Sequence, residues 1–426
     1  MRPYFSLFTL PRGLVLALSL LAVLNLSKIG LGKPLTVDRP ADFRAVWTGV
    51  HALRHQRDPY PDATLRTEWQ AVVQAEALPS STAPGRWGES FLYPPWAAAL
   101  LAGTVAALPW RVAYPLWWAL CLAGLLLSTL RWWPRILRAW GAPAATGPDL
   151  LLLALALKGT VAALLVGQPT FVAFALGTAA LRARQLGRPL RAGLLLGLAA
   201  FKITLVGPFA LLALVPGLAA GRWRAAAGTA GAAGAVVALL TLAAVRLHPA
   251  GAALLGQYAG LAGQVRTAIF THPDAGSAVN YQLVSLTEFG PLLNFVRPGT
   301  WRYLSVFYAA LALAGVGWAW RYRRHLTPLV GWLVAVLLTL LTTYHLFYDA
   351  LLLLPLVAWA QRLPRPAAWA TLAAAAPLLL PLNAALAALH ATGWAEIGYF
   401  TLPVSCALLL GLLMTVSTFR RAQPAL

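Results

Sequence analysis

The sequence predicts an all-α fold, a polytopic bundle of about 10–12 membrane helices with two large loops on the same side. Three observations predict it. Hydrophobic residues make up 60% of the 426 and charged residues 11%, and the mean hydropathy is +0.70; a soluble domain is about half apolar and about a quarter charged. The apolar residues fall in runs of roughly 15–25, the length a helix needs to cross a bilayer, and they do not alternate as barrel strands would. The acidic residues gather in one place: seven of the twelve lie between Asp38 and Glu89.

The net charge of +21 is explained by loop arginines that set topology and meet anionic headgroups, so no nucleic-acid partner is expected. Cys121 and Cys406 both sit inside apolar runs and read as packing residues, not as a disulfide or metal pair. The N-terminus has a basic start and an apolar core but no small-residue cleavage site, which predicts an uncleaved first span with its start in the cytoplasm.

In chain order the apolar segments are roughly 13–32, 93–108, 113–130, 150–166, 169–183, 192–215, 225–247, 303–320, 328–343, 349–361, 367–387 and 398–418. The segments 150–166, 169–183 and 349–361 are short, and such segments enter a membrane partway where they line a cavity. The whole chain, 1–426, reads as one integral membrane domain carrying two outer loops, 33–92 and 248–302. Arginines in the last third alternate between turns: Arg321, Arg323 and Arg324, then Arg362 and Arg365, then Arg420 and Arg421. That pattern places the C-terminus inside and the acidic loop outside. The middle breaks the pattern. With every segment a full crossing, Arg131, Arg135 and Arg138 fall outside, and so do Arg182, Arg184, Arg188 and Arg191. A miscounted segment, a short hairpin or lipid-phosphate binding would each explain this.

Chemistry has few places to sit. Asp42, Ala45, Val46 and Gly49 have helical spacing, so Asp42 stands near the start of a short helix at the membrane surface. A carboxylate there suits a general base acting on a hydroxyl; an N-terminal helix cap is the competing reading. Asp58-Pro59-Tyr60 reads as the turn ending that helix. Phe91-Leu92-Tyr93-Pro94-Pro95-Trp96 reads as the start of the next helix, its aromatics at interface height. Gly167-Gln168-Pro169 interrupts an apolar region with a turn and one amide. Lys202 stands near mid-depth, where an unpaired lysine costs roughly 2.5–3.5 kcal/mol; a cation for phosphate and a snorkelling side chain are both open. His345 and Asp349 share one helix face at i, i+4, but two such ligands do not make a metal site and no metal is expected. Asn280, Tyr281 and Gln282 suit hydrogen bonds to a sugar. There is no Walker motif and no Gly-rich nucleotide loop, so no nucleotide-driven pump is indicated and no cofactor is expected. No internal repeat relates the halves, which counts against the alternative of a transporter or flippase.

The order of these motifs resembles glycosyltransferase family 87, multi-spanning enzymes of the GT-C class. The resemblance runs from about residue 40 to 360 through Asp42-Phe43, Asp58-Pro59-Tyr60, Phe91 to Pro95, Gly167-Gln168, Gly193 and Gly197 with Lys202, and Tyr348-Asp349. Three places depart from the family pattern: Asn280-Tyr281-Gln282 with Ser285 further on, Lys202-Ile203 with proline delayed to Pro208, and Thr343 where a proline is usual. The resemblance implies an inverting hexosyltransferase of the plasma membrane. It would move a sugar, typically mannose, from a polyprenyl-phosphate donor to a glycolipid or glycan acceptor at the outer face. Asp42 would be its base. Asp58, Tyr60, Tyr93, Gln168, Lys202, Asn280, Gln282, His345, Tyr348 and Asp349 would contact substrates.

Overall fold

The structure is a computed structural model that describes residues 11–30, 41–78, 91–142, 146–219, 221–248, 251–271, 303–321, 327–343, 347–379 and 394–419, with 293, 297 and 299. The helices are α1 (Arg12–Gly30), α2 (Ala41–Arg54), α3 (Asp62–Ala75), α4 (Pro95–Ala102), α5 (Trp110–Leu126), α6 (Trp133–Ala139), α7 (Gly147–Ala156), α8 (Lys158–Val166) and α9 (Thr170–Gln185). They continue as α10 (Pro189–Ala199), α11 (Ile203–Ala219), α12 (Trp223–Leu247), α13 (Ala253–Thr271), α14 (Leu304–Arg321), α15 (Pro328–Thr342), α16 (Leu356–Ala360), α17 (Arg365–Leu379) and α18 (Trp394–Phe419). No strand occurs among the described residues. The all-α membrane bundle expected from the sequence is what the chain forms. By length and composition alone Trp110–Ala139 and Trp223–Leu247 each suffice to cross a membrane, Pro189–Val215 does so only when its two arms are counted through the turn at Ala200–Lys202, and Gly147–Ala156 with Gly159–Val166 adds another if counted as one broken span.

The chain divides into two compact units, one of Met1–Asn25, Thr129–Thr160 and Thr267–Leu426, the other of Leu26–Ser128 and Val161–Arg266. In the first unit, Thr146 and Asp149 form a reciprocal capping box at the start of α7. That box satisfies helix-end N–H groups that lipid cannot serve. At the other end of α7 the Asn25 amide donates to the carbonyls of Leu155 and Ala156 at 3.2 and 2.9 Å. Asn25 thus covers oxygens left open where the helix breaks at Leu157. The Trp332 indole of α15 donates to the Leu352 carbonyl at 3.0 Å, and its ring meets Trp133 edge-on at 5.0 Å. α15 and α17 both pack on α18.

The second unit holds the acidic loop. The stretch 93–108 is not a crossing: α4 has eight residues, about 12 Å of helix against a hydrocarbon core of about 30 Å. Pro94 and Pro95 start the helix as expected, but it ends at Gly103, and α4 packs on α2 and α12. The long helix begins instead at Trp110, where the Glu76 carboxylate accepts from the Trp110 and Arg111 N–H groups at 2.7 and 3.1 Å. Arg111 returns the bond to the Glu76 carbonyl at 2.7 Å. A loop glutamate therefore caps the helix that leaves the loop. Arg131, Arg135 and Arg138 lie in the last turns of the helix that runs on to Ala139.

The run 192–215, read as one segment, folds back on itself. A 3₁₀ turn, Ala200–Lys202, separates α10 from α11. Neighbours on either side fix the directions. α9 and α10 form a hairpin through Gly187, whose φ is +72°. Gly177 of α9 abuts Phe209 of α11, and the Arg184 guanidinium donates to the Ala213 carbonyl at 3.0 Å. Gly193 and Gly197 of α10 meet Thr229 and Val236 of α12 in that order. So α10 runs one way, α11 returns beside α9, and α12 runs parallel to α10. Arg182, Arg184, Arg188, Arg191, Arg222 and Arg224 therefore gather at one end of this helix group, and Lys202 sits at the other. The single segment expected over 192–215 is thus two short arms joined at Ala200–Lys202.

Gly193 and Gly197 form the seam that allows the α10–α12 approach. A Cβ at Gly193 would lie 2.2 Å from the Thr229 carbonyl oxygen and 2.7 Å from the Ala232 Cβ. Small residues four apart serve this purpose in membranes, where close packing replaces the hydrophobic effect. Gly193→Val is expected to destabilise by about 1–3 kcal/mol or more, the usual cost of overpacking. Gly231→Ala on α12, with nothing within 4 Å, is the neutral control. Thermal midpoints in detergent compare the two.

Candidate active site

The site is assembled around the first turn of α2. Phe43 is buried and lies nearly parallel to the Trp117 ring at 5.0 Å. The Trp117 indole donates to the Gly167 carbonyl at 2.8 Å. Gly167 takes φ +69°, a left-handed conformation that glycine adopts without steric cost. That turn brings Gln168 under α2, where its amide Nε2 donates to the Asp42 carboxylate. Two residues later Thr170 opens α9, and its hydroxyl accepts from the Lys202 ammonium. Lys202 ends the 3₁₀ turn between α10 and α11, and the Trp96 indole of α4 anchors that turn by donating to the Ala200 carbonyl at 2.9 Å. Asp42, Gln168 and Lys202, scattered over 160 residues of sequence, thus belong to one constellation.

Its electrostatics follow from this enclosure. Burial pushes the Asp42 carboxyl up from an ordinary 3.8 to about 6, while the Gln168 hydrogen bond and the Lys202 charge pull the other way. The carboxylate is more basic than a solvated one, yet largely ionised at neutral pH. Its neighbours favour the charged form without neutralising it. Asp42 stands in the first turn of α2, as the helical spacing implies, and its side chain reaches a residue 126 positions away.

The other predicted residues divide. Asp58 accepts from the Tyr60 N–H at 3.0 Å, a local turn of the kind Asp favours. The Tyr60 hydroxyl donates to the Tyr93 carbonyl at 3.2 Å, and its ring is near Phe91 at 5.7 Å and Tyr258 at 6.1 Å. Asp58, Tyr60 and Tyr93 are therefore bonded to one another, and Phe91 connects them to α2 by packing on Gly49. Asp349 is buried in the 3₁₀ helix Phe347–Leu353 of the first unit, and Tyr348 belongs to the same turn. His345, Asn280 and Gln282 lie outside the described residues. An apolar pocket in the first unit, lined by Leu14, Leu18, Leu153, Leu354 and Thr371 among others, carries no titratable group for catalysis.

Sequence reasoning missed Thr170, Trp117 and Trp96, whose roles depend on partners 32 to 104 residues away. It also missed Glu68. This buried carboxylate of α3 meets His51 at 2.9 Å and His55 at 3.3 Å through Oε2, and Arg57 through Oε1. Burial alone would raise its pKa, but the hydrogen bonds from the two histidines and the Arg57 charge outweigh burial and hold it below the ordinary value. The His51–x₃–His55 spacing was the available signal.

Comparison with known proteins bears on this arrangement. A comparison with curated proteins returned no match. The sequence profile of glycosyltransferase family 87 matches residues 91–343, more than half of the chain. The matched region contains Gln168, Thr170 and Lys202; Asp42 precedes it. The helical membrane frame and this match agree, and the chain belongs to glycosyltransferase family 87.

Proposed function

We propose that this glycosyltransferase is an inverting enzyme of the GT-C type that takes its sugar from a polyprenyl-phosphate donor and passes it to a glycolipid or glycan hydroxyl at the outer face of the plasma membrane. The observation that carries the proposal is the pairing of a basic carboxylate, Asp42, with a cation, Lys202, across the Gln168–Thr170 turn. Asp42 takes the proton of the acceptor hydroxyl as its oxygen attacks the anomeric carbon. The bond from that carbon to the phosphate oxygen breaks on the opposite side, and the electron pair leaves with polyprenyl phosphate. Lys202 and the N-terminus of α9 hold the anion as it departs. A leaving group that is already a stable anion needs no proton.

Sidedness has its own support. Six arginines of the second unit lie at the end of the helices away from Lys202, as positive-inside topology requires when the site faces out. A lipid-linked donor suits a site outside the cell, where nucleotide sugars are absent. Mannose follows from the family resemblance and from no residue here. Membership of a glycosyltransferase family weighs against the transporter reading, and the lysine that favoured it donates to Thr170.

The test offers membranes containing the protein a panel of radiolabelled polyprenyl-phosphate sugars and, separately, nucleotide sugars, with native lipid acceptors. Transfer from a polyprenyl-phosphate sugar with inverted anomeric configuration is expected. Direct transfer from a nucleotide sugar in extracts free of polyprenyl phosphate would overturn the donor assignment.

A further inference from the structure

We propose that His51, His55 and Glu68 form a transition-metal site, best suited to Zn²⁺, that clips α3 to the C-terminal half of α2. The three residues are the one group of at least three metal-ligating side chains that converges among the described residues, with ligand atoms all within 4.8 Å of one another. His51 stands in the last turn of α2 and His55 directly follows its last residue, Arg54, with the His55 N–H still donating to the His51 carbonyl at 3.1 Å; that four-residue spacing puts both imidazoles on one side, and their ring centroids are 4.2 Å apart. Glu68 comes from the facing side of α3 and is 3% exposed.

The division of labour on Glu68 is the informative feature. Both histidines direct Nδ1 to the same carboxylate oxygen, Oε2, at 2.9 and 3.3 Å. Arg57 takes the other oxygen, Oε1. A tetrahedral zinc with bonds of about 2.0–2.1 Å holds adjacent ligand atoms about 3.3 Å apart; the two histidine–Glu68 separations, 2.9 and 3.3 Å, are within a few tenths of an ångström of that, and all three ligand atoms lie within 4.8 Å of one another. Arg57 can stay where it is and orient the carboxylate from behind, as outer partners of metal ligands do. Two imidazoles and one carboxylate match zinc and its neighbours in the first transition row, not the all-oxygen shells of Ca²⁺ or Mg²⁺. His55 is 54% exposed, which leaves a path for the ion and room for a water as fourth ligand.

The role is structural. His51, in the last turn of α2, and His55, just past its end, lie 9 and 13 residues from Asp42, roughly 14–20 Å at 1.5 Å per residue, too far for the ion to touch the reacting groups. Fixing the far end of α2 against α3 would hold the helix axis that presents Asp42.

The test uses the full chain purified in detergent, with no polyhistidine tag. Zinc content is measured after exposure to Zn²⁺ and gel filtration, visible absorption is followed on Co²⁺ titration, and thermal midpoints are recorded with Zn²⁺ and with EDTA. The expected results are about one zinc per chain, a cobalt spectrum of four-coordinate type and a midpoint raised by Zn²⁺. His55→Ala, at an exposed position that tolerates truncation, is expected to weaken binding at least tenfold while keeping the midpoint of the EDTA-treated wild type; removal of a direct ligand should cost no less than the 10–100-fold typical of outer partners. Glu68→Gln provides a second arm. Zinc well below one per chain, or one zinc whose affinity is unchanged in both variants, would overturn the proposal and leave the cluster as an ion-pair network.

Discussion

Asp42→Asn is expected to lower sugar transfer by about 10²–10⁴-fold, the usual contribution of a positioned general base. Asn keeps the size of Asp and an oxygen that can accept the Gln168 amide, so the loss reports the missing base and not a collapsed site. The same substitution is expected to stabilise the fold. Burial raises the Asp42 pKa from 3.8 to about 6, so ionisation is harder in the folded chain than in the unfolded one. The resulting penalty is absent below about pH 4, grows between 4 and 6 and is constant above, reaching at most about 3 kcal/mol at 1.36 kcal/mol per unit. The thermal midpoint of Asp42→Asn in detergent should exceed that of wild type at pH 7.5 and converge with it near pH 4. Loss of activity with gain of stability is the mark of a group placed for chemistry against folding.

Lys202→Met is expected to lower transfer by about 10²–10³-fold, the scale of removing one preorganised partner of a developing anion. Two effects combine. In the proposed mechanism the departing phosphate loses its cation, and Asp42 loses the charge that holds its pKa down. They separate by pH. Well above the Asp42 pKa the base is ionised in either protein, so the deficit that remains there measures phosphate stabilisation alone. Lys202→Arg should recover part of it, because a cation is retained. Single-turnover rates across pH with saturating donor provide the comparison.

The sequence displayed the class of fold plainly, since composition and run length follow directly from the bilayer as solvent. It was less informative about which runs cross. The stretch 93–108 and the stretch 192–215 both look like single spans, because alanine, leucine and glycine carry no periodicity that marks an end. The first is cut to eight residues by the turn at Gly103. The second is broken at Ala200–Lys202, where Gly193 and Gly197 commit α10 to α12. The candidate site was legible as a set of residue types and illegible as a place. Asp42, Gln168 and Lys202 each stood out as polar groups in apolar surroundings. Only the fold brings Gln168 across 126 positions to Asp42 and supplies Thr170 to Lys202. The bond between the Tyr60 hydroxyl and the Tyr93 carbonyl, 33 positions apart, was likewise invisible in the sequence.

The measurement that bears most directly on Asp42 as the base is the pH dependence of kcat/KM for sugar transfer. Wild type is expected to lose activity tenfold per unit below an apparent pKa near 6, because the base is then protonated. Gln168→Ala removes a hydrogen bond that favours the carboxylate, so its acid limb should move to higher pH. In Asp42→Asn the residual rate should show no such limb. An acid limb near 6 that persists in Asp42→Asn, or a wild-type rate flat down to pH 4.5, would contradict the assignment.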